Sequence, residues 1–155
     1  MNQDKLDNRN IIALFPFVYF GLLASYSLFH IFALGDYEGK DGQWGSFKIE
    51  LWISGFATFI AFMSYFIGLG LVKTAVWRLS RQKLALITTT SAFLSVVVSI
   101  MIDRIIDRIL DSYIAPVVIV LGVNIGGLLL IPALIGVSLV KIHQRWYAAH
   151  SSTQQ

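Results

Sequence analysis

The sequence predicts an all-α polytopic membrane protein: a four-transmembrane-helix bundle with a short amphipathic helical extension after the third span. Three observations lead there. Only 14% of the 155 residues are charged and 56% are hydrophobic, whereas a water-soluble domain carries about 25% charged residues. So few charges do not cover a water-facing surface, which excludes an ordinary cytosolic enzyme, a disordered tail and a nucleic-acid-binding domain. All 12 Lys and Arg and all 9 Asp and Glu fall outside four long apolar segments, at residues 11–34, 51–72, 84–102 and 114–140. About 20 apolar residues cross about 30 Å of hydrocarbon as a helix. Lipid offers the backbone no hydrogen bonds, so each segment is expected to satisfy its own. The alternation of a membrane β-strand is absent. The chain is read as one membrane domain, residues 1–155.

The first span begins with Pro16 one turn in, where proline is tolerated. Its apolar run exceeds the ~7–15 residues of a signal-peptide core, so it reads as a retained signal-anchor. His30 lies in its outer third. A bis-His haem needs a second axial ligand at similar depth, and His143 and His150 lie a membrane thickness away. His30 is therefore expected to bond a neighbour or a headgroup, and no cofactor is called for. The loop at 35–48 holds Gly35, Gly39, Gly42 and Gly45 among charged residues, and reads as turn-rich and mobile.

The second span carries Ala57-xxx-Ala61 and Ser64-xxx-Gly68, and the first carries Gly21-xxx-Ser25. Such spacing lets two helix backbones approach closely. The connection at 73–83 has Lys73, Arg78, Arg81 and Lys83 and no acid. With Trp77 beside Arg78, it is expected to lie against anionic headgroups, at about 1 kcal/mol per basic residue.

The third span has a ladder of hydroxyls, Thr88, Ser91, Ser95 and Ser99, at helical spacing. The same stripe runs into Asp103. It faces protein in either of two readings: close interhelical packing, or the lining of a weak cation path. Beyond it, Asp103, Arg104, Asp107, Arg108 and Asp111 cover one half of a helix; Ile105, Ile106, Ile109 and Leu110 cover the other. That extension either continues the third helix past the membrane surface or lies in the interface, or it docks a partner on the outer face.

The fourth span has Pro116 in its first turn and Pro132 well inside, where a kink is expected. Gly122-xxx-Gly126 brackets Asn124, the one side-chain amide in the hydrocarbon. Asn124 is expected to hydrogen-bond across a helix interface.

Orientation follows from charge. Eight Lys and Arg (Lys5, Arg9, Lys73, Arg78, Arg81, Lys83, Lys141, Arg145) lie on one side and four (Lys40, Lys48, Arg104, Arg108) on the other. The positive-inside rule places both termini in the cytoplasm, in a bacterial inner membrane. Trp44, Trp52 and Tyr113 mark the outer interface; Trp77, Trp146 and Tyr147 mark the inner one.

The chain has no cysteine, which removes disulfides, thiol redox chemistry, iron–sulfur clusters and Cys-type zinc sites. No span holds an Asp, Glu, Lys or Arg, the groups of a proton- or sodium-coupled relay. The expectation is a non-enzymatic membrane protein that works through helix–helix contact with another membrane protein or with itself. It would be an accessory subunit, an assembly factor, or a protective or regulatory protein; small four-span immunity proteins share this gross shape. The contact surfaces expected are Ile105, Ile106, Ile109 and Leu110 on the extension, and Gly122, Asn124 and Gly126 on the fourth span. The alternative is a homo-oligomeric channel or small-solute transporter, with Thr88, Ser91, Ser95, Ser99 and Asp103 lining its path. No metal and no nucleic acid are expected in either.

Overall fold

A computed structural model describes residues 10–35, 42–112 and 117–151. Helix α1, Leu14–Leu28, passes into a π-helical turn at Phe29–Ala33; α2 is Gly42–Leu71, α3 the single turn Lys73–Val76, α4 Arg81–Ser112 and α5 Val117–Ser151. Four helical stretches are long and apolar enough to cross a membrane: Asn10–Ala33, Gly42–Leu71, Arg81–Ile106 and Gly122–Trp146. The protein is an all-α bundle, and these four spans mark it as an integral membrane protein.

The described side chains are sorted as lipid requires. Large apolar groups face outward: Phe17, Phe56, Phe59, Leu86, Leu130 and Leu134 are all exposed. Ser54, Thr58, Ser64, Thr88, Ser91 and Ser95 are buried. Helices in lipid gain nothing hydrophobic from meeting each other, so small and hydrogen-bonding residues gather where they touch.

The helices form a ring in the order α1, α2, α5, α4. α2 and α4, which follow one another across the 72–80 connection, therefore sit on opposite corners. That connection crosses beneath the bundle, and its α3 turn buries Ala75 and Val76 there. The connection and the helix ends beside it carry Lys73, Arg78, Arg81, Lys83, Lys141 and Arg145, and form the basic end. Glu50 and Asp103 lie toward the opposite, acidic end.

The tightest crossing joins α2 and α5. A Cβ on Gly68 would lie 2.7 Å from the Ala133 Cα, and one on Gly136 would lie 2.7 Å from the Tyr65 ring. The Ser64 hydroxyl donates to the Leu129 carbonyl across the same seam. The Ser64-xxx-Gly68 spacing thus serves internal packing.

One boundary differs from the sequence reading. The first loop is shorter than 35–48, because α2 already begins at Gly42 and includes Gly45. The cause is aromatic packing: Trp44 and Phe47 meet Phe32 of the π-turn at centroid distances of 4.9 and 5.9 Å. Gly35 and Gly42 keep the glycine role, at φ of 70° and 65°, a region that costs other residues a steric clash. The extension after the third span is continuous with α4 to Ser112. Pro132 lies inside α5, which runs through it, and its ring is fully buried. Tyr113 and Pro116 lie outside the described residues.

Candidate functional site

A cavity of about 330 Å³ opens among the four helices in the half of the bundle nearer the acidic end. That is the lower part of the range for small-molecule pockets, roughly 300–1,000 Å³. Two helices present it with a complete i, i+3, i+4, i+7 face. On α2 these are Glu50, Ile53, Ser54 and Ala57; on α5 they are Asn124, Gly127, Leu128 and Ile131. α1 adds Tyr19, Tyr26 and Ser27, and α4 adds Ser99 and Asp103. Small side chains at Ala57 and Gly127 leave the space unfilled.

The wall is mostly apolar, with polar groups at fixed places. Hydroxyls of Tyr19, Tyr26, Ser27, Ser54 and Ser99 and the amide of Asn124 lie on it. Glu50 and Asp103 are the two acidic side chains on it, and both are exposed. No Lys, Arg or His is among the described lining residues.

Toward the basic end the cavity stops at an aromatic layer. The Tyr19 hydroxyl meets the Ser99 hydroxyl at 3.3 Å. Phe15 stacks on Tyr65 at 4.3 Å and on Tyr19 at 5.6 Å. The Tyr65 hydroxyl crosses the diagonal of the ring to Thr88 Oγ1 at 3.1 Å. Phe15, Tyr19, Tyr65, Thr88, Ser91 and Ser95 are each 0% exposed, so the layer is fully buried.

Beside the mouth, Arg104 of α4 ties back to α1. Its guanidinium donates to the Tyr26 hydroxyl from Nη2 at 2.7 Å and from Nε at 3.1 Å. Nη2 also reaches the His30 ring, 2.7 Å from Nε2. An arginine has no acceptor, so the ring nitrogen it meets must be the unprotonated one. His30 sits in the π-turn, whose wider winding re-aims a side chain relative to an α-helix. The Tyr26 and His30 rings lie 4.4 Å apart, which completes the cluster. His30 thus bonds a neighbouring side chain.

The sequence-predicted residues divide three ways. Thr88, Ser91 and Ser95 lie in the packed layer, while Ser99 and Asp103 lie on the cavity wall. Ile105 is exposed and Ile106 half-buried; the side chains of Ile109 and Leu110 lie outside the described residues. Gly122 and Gly126 face open space, since a Cβ on either would meet nothing within 4 Å.

Asn124 makes no side-chain hydrogen bond among the described residues and lines the cavity. Sequence reasoning missed Tyr19, Tyr26, Tyr65, Glu50 and Arg104. The tyrosines had a signal: a phenol deep in a span needs a hydrogen-bond partner, which marks its position as inward-facing.

Among the described residues no group of three or more His, Asp or Glu is placed to hold a metal. No family model, curated protein or solved structure matches the chain.

Proposed function

We propose that this chain is a non-catalytic integral membrane protein that acts by contact with another membrane protein, as an accessory, assembly, protective or regulatory component. One observation carries the reading: the interior is sealed by the layer of Phe15, Tyr19, Tyr65, Thr88, Ser91 and Ser95. Within it the Tyr65 hydroxyl bonds Thr88, and the Tyr19 hydroxyl bonds Ser99 at its edge, so these groups are spent on the bundle's own packing. The glycines divide in the same sense. Gly68 and Gly136 are closed by neighbours within the chain, while Gly122 and Gly126 stand open on the outside of α5 beside exposed Val123 and Ile125.

The orientation belongs to this proposal. Eight Lys and Arg on the basic side against four on the acidic side favour both termini in the cytoplasm, in a bacterial inner membrane. With no native cysteine, Lys48→Cys should react with an impermeant thiol reagent added outside intact cells, and Gln82→Cys should not. Reaction of Gln82→Cys alone reverses the orientation.

The test of function is co-purification from native membranes in mild detergent. A membrane protein should accompany the wild-type chain and be lost with Gly126→Leu, while the variant itself stays folded and membrane-inserted. A chain that purifies alone, or a companion retained by Gly126→Leu and Gly122→Leu alike, contradicts the proposal. The channel alternative draws on Ser99 and Asp103, which lie on the cavity wall. In a single copy that path ends at Tyr19, so a conducting route would have to run between copies.

A further inference from the structure

We infer that the cavity at the acidic end is a binding site for an amphipathic organic cation, an ammonium head on a compact apolar body. The inference is independent of the contact proposal. It rests on a built, dead-ended space with chemistry graded along its length. At the mouth stand Glu50 and Asp103, with no cationic side chain on the described wall. Arg104, beside Asp103 in the chain, bonds the Tyr26 hydroxyl and the His30 ring. Glu50 makes no hydrogen bond or ion pair among the described residues, so its charge is available to a guest. A cation entering between low-dielectric walls meets a field that water screens less than at an open surface.

Below the mouth the wall is mostly apolar, broken by the hydroxyls of Ser54, Ser99 and Tyr19. Ile53, Ala57, Leu128 and Ile131 come from the faces of two helices. A bare metal ion loses its hydration there and recovers little, whereas a hydrocarbon body gains by leaving water. At mid-depth Asn124 supplies an amide with no protein partner. In a bilayer interior such a group needs something to bond, and a guest or its accompanying water is what the cavity offers. The volume of about 330 Å³ suits one small organic molecule.

The absence of native cysteine allows a direct test in the full-length protein in nanodiscs. A cysteine at Ala57, deep on the wall, is modified by a cationic reagent, aminoethyl methanethiosulfonate, and by an anionic one, sulfonatoethyl methanethiosulfonate. Rates are referred to those of a free thiol in solution. The cationic reagent should be favoured by about tenfold, chiefly from the attraction of the Glu50 carboxylate, since Asp103 has an interaction partner of its own. Glu50→Gln with Asp103→Asn should abolish the preference and leave the cysteine reactive. Octyltrimethylammonium should then protect the cysteine, whereas octyl sulfonate and octanol at the same concentration should not. An unreactive cysteine at both Ala57 and Ser54 overturns the site. Equal rates for the two reagents overturn its charge selectivity. Equal protection by the three octyl compounds, or protection by sodium or potassium ions alone, overturns the ligand class. If Ala57→Cys fails to insert, Ser54→Cys, one turn nearer the mouth, carries the same measurements.

Discussion

Ser95 Oγ is buried with no hydrogen-bond partner, whereas Thr88 Oγ1, on the same helix, meets the Tyr65 hydroxyl at 3.1 Å. Their removal should therefore have opposite consequences. Ser95→Ala deletes an unsatisfied polar group and should leave stability unchanged or raise it. Thr88→Val strands the Tyr65 phenol in a packed layer and should lower stability by about 1–3 kcal/mol. Reversible unfolding in mixed micelles, followed by circular dichroism, measures both. The glycines give a second contrast. Gly68→Ala drives a methyl into the Ala133 backbone and should cost about 1–3 kcal/mol. Gly126→Ala meets open space and should change stability by less than about 0.5 kcal/mol. At this scale the sequence showed that the third-span hydroxyls share a face. It did not show which of them meet a partner, because Tyr65 and Tyr19 approach from helices far away in the chain.

The α1–α2 hairpin shows how far element boundaries depend on contacts between elements. Four glycines in 35–48 read as loop, yet Trp44 and Phe47 find Phe32 and pull the helix start back to Gly42. Gly42 remains indispensable as the residue at φ 65°. Gly42→Val should destabilise the hairpin by about 1–3 kcal/mol, seen as faster amide exchange at the start of α2. Exchange as slow as wild type would show that another conformation serves there. The four spans themselves were legible because hydropathy and charge exclusion act within each segment. The extension of α4 was legible from its two-sided charge pattern. The π-turn at Phe29–Ala33 was not; its His30 meets Arg104, distant in the chain.

As a whole molecule, the chain is a ring of four helices, sealed toward the basic end and hollow toward the acidic end. The number of spans followed from composition; the ring order α1, α2, α5, α4 did not. Every span is apolar enough to neighbour any other, and the order shows only in contacts between distant residues, such as Gly68 against Ala133, Ser64 with Leu129 and Tyr19 with Ser99. The cavity escaped sequence reading for a related reason. Glu50, Ser99, Asp103 and Asn124 are scattered along the chain, and their shared space exists only after three helices meet. The contact proposal stands on the sealed layer, and ion flux into proteoliposomes tests it most directly. Purified protein should give potassium and sodium flux indistinguishable from that of empty liposomes, for the wild type and for Ser99→Leu. Flux above that level, lost in Ser99→Leu, would mean that ions cross the Tyr19–Tyr65 layer or pass between copies, and would contradict the account.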